Sequence, residues 1–252
     1  AEVVARRLAD ALVAVGVEVN VLRTTAPGNA VDREQLGDIS VQSLPMRRPY
    51  SPFEQVDPSA LAKLRWHWTD DRGDSRGFRD IIKQVKPDVV HTHNVGGLST
   101  GIWRSAAEVD VPVVHTLHDY YLLCPRTSRF RDGKVCGRPC RDCRALTMRR
   151  RFDARLVGDV VGVSRAVLQP HLDAGLFDKA RKHIIPNIIQ PELVAAPRAP
   201  TEPITFGFIG RITVEKGIEQ LISAFGAMQR PARLLVAGKI NDSEKMRLAA
   251  LA

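Results

Sequence analysis

Short apolar runs recur along this chain, each ended by a breaker and followed by a stretch of helical character, and that alternation limits the fold more than any other feature. The runs are VEVNVL at 17–22, DVVHTH at 88–93, VPVVHTL at 111–117 and DVVGVS at 159–164, with further strands expected at 183–185, 204–209 and 232–237. The opening AEVVARRLADALVAVG puts Val4, Leu8, Ala11, Leu12 and Val15 on one helical face, and Gly16 then stops the helix. EKGIEQLISAFGAM reads as the helix between the last two strands. Strands alternating with helices form parallel sheets covered on both faces, so the expected class is α/β. From Thr24 to Arg79 the chain is polar with scattered Gly and Pro, and long loops are expected there. No internal repeat is present.

Five prolines fall between Pro186 and Pro203, where periodicity fades, and this stretch reads as a linker. It divides the chain into a first domain at 1–190, a linker at 191–203 and the start of a second domain at 204–252, which is too short to close a doubly wound sheet by itself. A length of 252 residues with 44% hydrophobic content is ample for a packed core. No apolar run approaches the roughly 18 residues a membrane span needs, and the first residues lack the layout of a signal peptide, so secretion is not expected. The formal charge is +9, and residues 126–155 alone hold eleven Lys or Arg against three Asp or Glu. The expected partner is therefore an anion met at one place.

FGFIGRITVEKG at 206–217 is the segment richest in chemistry. A strand ends at Gly210, a helix begins near Glu215, and between them Arg211 and Lys216 sit where open parallel sheets bind ligands, beside glycines that let backbone approach a diphosphate. Fixed cations there suit a bound diphosphate. The plainer reading of the pair is solvated surface charge. His118 follows the third strand, where its ring either meets a ligand or packs against the strand end. His91 and His93 project to one side of their strand, but two histidines without a third spaced ligand point to a structural or acceptor-side role more than to a metal. Ser164 and Asn187 end strands at positions that suit either the lining of a cleft between domains or simple capping.

The motifs PDVVHTHN at 87–94, VPVVHTLHDYYLLCPR at 111–126, DVVGVSRAV at 159–167, IIPN at 184–187, GRITVEKG at 210–217 and LLVAGK at 234–239 are each weak alone. In this order and spacing the chain resembles the family 4 glycosyltransferases of the GT-B architecture, which have two Rossmann-like doubly wound parallel-sheet domains. The resemblance implies a retaining transferase that moves a hexose from a nucleoside-diphosphate sugar to a glycan, lipid or small-molecule acceptor, with no cofactor required for catalysis. Gly210, Arg211, Lys216 and Gly217 would hold the donor diphosphate, and His118 would face the transferred sugar. Relative to the family pattern, the first strand and its glycine-rich loop are not in this sequence, nor is the carboxylate motif of the second domain. The expectation is thus a fragment with a truncated second domain and little activity of its own.

All four cysteines, Cys124, Cys136, Cys140 and Cys143, fall in the spacing C-x11-C-x3-C-x2-C. Structural zinc and reduced free thiols both fit it. The same segment carries the basic excess, including Arg149, Arg150, Arg151 and Arg155 with Phe130, Met148 and Phe152 interleaved. It suits an anionic membrane surface or a solvated helix face, and places the protein in the cytoplasm, peripheral to the inner face of the plasma membrane. Two other functions stay open: a nucleic-acid- or partner-binding module built on the four cysteines, and another GT-B enzyme such as a sugar-nucleotide epimerase. The first explains only the segment around the cysteines, which lacks a stacking surface for single strands, so no nucleic acid is expected.

Overall fold

The computed structural model describes residues 1–26, 28–46, 59–71, 75–188, 203–238, 240, 245, 246 and 248. Most of the proline-rich stretch, 189–202, lies outside them. The chain divides into two compact units, residues 1–129 with 136–189 and residues 130–135 with 190–252.

The first unit opens with α1 (Glu2–Ala14), β1 (Val19–Thr25), β2 (Asp32–Leu36), β3 (Ile39–Pro45), α2 (Ala60–Asp71), α3 (Ser75–Val85), β4 (Val90–Thr92), α4 (Gly101–Ala107) and β5 (Val113–Leu117). After the hairpin β6 (Phe130–Arg131) and β7 (Lys134–Val135), it resumes with α5 (Arg141–Leu146), α6 (Met148–Asp153), β8 (Asp159–Gly162), α7 (Arg165–Asp173) and β9 (Arg181–Ile184). One sheet runs β4-β5-β8-β9 with every pair parallel. A second runs β1-β3-β2, where β1 and β3 are parallel and β2 is antiparallel to β3.

Local chemistry accounts for these elements. Gly16 takes φ +86 just beyond α1, a conformation costly for residues with a Cβ, and the Val17 amide returns to the Leu12 carbonyl at 3.0 Å. The inward face of α1 differs from the expected one. Ala9 is buried and Leu8, Leu12 and Val13 are half-buried, whereas Ala11 is exposed and Val15, beyond the last turn, is 76% exposed. The polar stretch from Thr24 to Arg79 also departs from expectation, since it contains β2, β3, α2 and the start of α3. Its order comes from pairing across strands: Arg23 donates to Ser43 at 2.9 Å and meets Glu34 at 2.7 Å, while Ile39 and Val41 turn inward.

The main core gathers Trp103, Ala106, Val113, Leu122, Val160 and Phe177. Neighbouring strands β5 and β8 are joined by a crossover, residues 118–158, much longer than one helix. It is tied down at Asp153, whose carboxylate accepts from Thr100 at 2.5 Å and pairs with Arg104. Burial raises the Asp153 pKa even though Thr100 and Arg104 oppose it.

In the second unit β10 (Ile204–Ile209) and β11 (Ala232–Ala237) pair in parallel, with α8 (Ile218–Gly226) between them in sequence. Gly238 follows β11 so closely to the Gly210 carbonyl that an added Cβ would lie 1.8 Å from its oxygen. The β6–β7 hairpin turns on Asp132 and Gly133, both at positive φ, the two-residue turn that Asp-Gly favours. Among the described residues no helix is long and apolar enough to cross a membrane.

Candidate functional site

At the carboxyl ends of β4 and β5 the first unit holds a small, open recess whose lining includes His93, Asn94, His118, Asp119 and Tyr121. Side chains alternate along a strand, so His91 and His93 leave β4 on the same side, and their rings stack with centroids 4.4 Å apart. His118 follows the last residue of β5 and stacks on His93 at 5.3 Å, with His118 Nε2 3.0 Å from His93 Nδ1. His91 Nε2 lies 2.8 Å from the Thr116 hydroxyl. His115, projecting the other way, is buried against Trp103 with Nδ1 2.9 Å from the Thr92 hydroxyl.

Burial keeps these imidazoles neutral. It lowers His93 to about 3, helped by His91 and His118, and it is the main cause that takes His118 down to about 4. A neutral imidazole has one N–H and one bare nitrogen, so His93 and His118 share one hydrogen bond in which one ring donates to the other. Asp119 accepts the Tyr121 amide at 2.8 Å, and burial raises its pKa against that bond. Neutral donors and acceptors beside a carboxylate are suited to hydroxyl-bearing ligands. Of the residues lining the recess, His118 and His93 are also singled out by the sequence. Asn94, Asp119 and Tyr121 are not, although HDYY after a strand is a visible polar and aromatic signal.

In the second unit, Ile212 and Ile218 are buried and anchor the loop that leaves β10. Gly210 ends the strand, a short 3-10 turn covers Val214–Lys216, and Gly217 at φ +73 caps α8. Arg211 and Lys216 are exposed on this one loop. The Glu215 carboxyl is held below its ordinary value by its own amide and the Thr213 hydroxyl, then by Arg211 and Lys216. Both cations therefore lie near enough to favour the charged Glu215 carboxylate. Ser164 caps α7, accepting the Val167 amide at 3.3 Å, and Asn187 is exposed; neither lines the His118 cleft.

Of the cysteines, Cys124 is buried and the other three are half-buried. The Cys140 and Cys143 sulfurs are 3.2 Å apart, and the Cys143 thiol is pushed up to about 12 by burial, by its hydrogen bond to Cys140 and by Cys124. Among the described residues no group of three or more His, Cys, Asp or Glu side chains is set to hold a metal ion. The expected basic surface is also smaller than the sequence suggests. Arg150 is buried at 1% exposure and the Arg151 guanidinium donates to the Ala174 carbonyl, so neither belongs to a fully solvated patch. Arg149 and Arg155 are exposed beside Met148 and Phe152, which are 71% and 66% exposed.

Known proteins bear on this arrangement. A protein described as an uncharacterized 42.6 kDa protein in the cps region of Klebsiella pneumoniae is 28% identical over 245 residues, covering 96% of this chain and 65% of that protein. This chain therefore spans slightly less than two thirds of that relative's length. Among solved structures, the E. coli trehalose-6-phosphate protein bound with UDP-2-fluoro glucose superposes with a TM-score of 0.50 at 11% identity, over 92% of this chain and 60% of that one. The MnaA–UDP co-structure from S. aureus gives a TM-score of 0.39 at 10% identity, over 93% and 64%. The mainly parallel α/β sheets agree with the Rossmann-like layers of GT-B. Residues 1–193 match the profile of Glycosyltransferase Family 4, and the chain belongs to that family.

Proposed function

We propose that the protein is a retaining glycosyltransferase that moves a hexose from a nucleoside-diphosphate sugar to a hydroxyl of a glycan, lipid or small-molecule acceptor. The reading is carried by Arg211 and Lys216, which are exposed on one loop at the end of β10 beside Gly210 and Gly217. A diphosphate taken there gains two cations as its bond to the sugar breaks, while the glycines allow backbone amides to approach it. The cleft at His118 then serves the sugar and the acceptor, with neutral His118 hydrogen-bonding a hydroxyl. Catalysis needs no metal in this scheme. Arg211→Ala and Lys216→Ala should each weaken UDP-glucose binding by roughly tenfold or more, as expected for a lost charge-assisted contact. His118→Ala, on the first unit, should leave that affinity within about twofold. Calorimetric titration with UDP-glucose checks the first pair, and unchanged affinity in both would end the reading.

The acceptor side of the proposal places the protein in the cytoplasm, peripheral at the inner face of the plasma membrane. Exposed Met148 and Phe152, with Arg149 and Arg155 beside them, support a patch for anionic lipid. Binding to phosphatidylglycerol vesicles should exceed binding to phosphatidylcholine vesicles and weaken in 0.5 M salt; sedimentation that ignores both variables counts against it. Structural zinc at the four cysteines remains a separate proposal, supported by the contacts of Cys143 with Cys140 and Cys124. Metal analysis of protein purified without chelator, beside Cys140→Ser, decides between zinc and free thiols.

A further inference from the structure

We propose that Arg150 is a positioning residue that fixes the Tyr121 wall of the cleft for a hexopyranoside acceptor; the inference rests on reading the cleft as the acceptor side of transfer. Arg150 enters from α6, behind the cleft, with its guanidinium almost wholly buried. It donates to the Tyr121 carbonyl at 3.0 Å and lies 3.9 Å from the centroid of the Tyr121 ring. A third contact, 3.1 Å, joins it to His67 Nδ1, and His67 is kept neutral by burial and by the Arg150 charge, lowered to about 4. Its Nδ1 is therefore available to accept. Trp66 closes the arrangement, meeting the Tyr121 ring edge-on at 6.4 Å and the His67 ring at 5.2 Å.

Tyr121 is thus held from both ends of its peptide. Its amide is fixed by Asp119, which itself lines the cleft, and its carbonyl and ring face by Arg150. A planar guanidinium can donate in two directions and stack on a ring at once, which an ammonium cannot. Small displacements of a positioning wall cost binding and rate far out of proportion to their size. Arg150 is not among the residues lining the cleft, and it meets that lining at Tyr121.

The test measures binding of octyl β-D-glucopyranoside, below its micellar concentration, and of UDP-glucose to the whole chain, to Arg150→Lys and to His67→Asn. Arg150→Lys should weaken the glucoside by tenfold or more and His67→Asn by a smaller factor in the same direction, with UDP-glucose affinity unchanged in both. Asp153→Asn, which disturbs a buried contact of the same helix away from Tyr121, serves as the control for general destabilisation and should move neither affinity. Glucoside binding equal to wild type in Arg150→Lys, an equal loss in Asp153→Asn, or no glucoside binding by the wild-type chain overturns the proposal. If Arg150→Lys does not fold, His67→Asn against Asp153→Asn decides by the same criterion. Glucoside binding that depends on Arg150 in a chain that fails to bind UDP-glucose would leave Arg150 as a positioning residue for a sugar-binding cleft and end the reading of that sugar as a transferase acceptor.

Discussion

Three consecutive arginines, Arg149 to Arg151, look alike in sequence and have three different fates. A helix turns about 100° per residue, so one of three neighbours must face inward, yet nothing local says which. What selects Arg150 is Tyr121 and His67, which lie 29 and 83 positions away. The position of His118 is more legible, because it depends on the strand immediately before it. Gly238 carries a prediction at the same scale. A methyl group there would lie 1.8 Å from the Gly210 backbone oxygen, so strand or loop must move. Gly238→Ala should cost about 2 kcal/mol, in the range of overpacked sites, and weaken UDP-glucose binding through Gly210 and Arg211. Thermal melting and titration of that variant check it, and wild-type values in both would deny the close approach.

Elements with apolar runs bounded by breakers were legible: β10 and β11 occupy the expected residues, and β4, β5 and β8 lie inside theirs. The β2–β3 pair was not, because DREQL has no apolar alternation and acquires order only by pairing with ISVQSLP. The inward face of α1 was misread for a related reason, since the helix stops one residue before Val15. Contact between elements also sets a stability prediction. Asp153 joins α6 to α4 through Thr100 and Arg104, and its side chain is 2% exposed. Asp153→Ala leaves Arg104 without that buried partner and should cost about 3 kcal/mol, as for a broken buried pair. Urea denaturation measures it; a cost under about 1 kcal/mol would mean that solvent already screens the pair.

For the molecule as a whole, burying histidines links folding to pH. His67, His118 and His171 are lowered to about 4 and His93 to about 3, in each case chiefly by burial, against 6.5 for an ordinary histidine. Between pH 6.5 and 4 the unfolded chain binds more protons than the folded one, so stability is full above that window and falls as pH falls through it. Each histidine contributes up to about 1.4 kcal/mol per pH unit, with half-exposed His118 contributing least. Urea unfolding at pH 7, 6 and 5 should show the midpoint dropping progressively, and a flat profile would mean that these rings titrate normally. The crossover at residues 118–158 has another consequence at this scale. Lengthening a connection costs only about 0.6 kcal/mol per doubling, while the strands it joins hold their register through their own ladder. If the cleft takes the acceptor as proposed, preference among acceptors can shift through the exposed parts of this crossover, whose length is free to vary while buried Tyr121, Arg150 and Asp153 keep it seated on the parallel sheet.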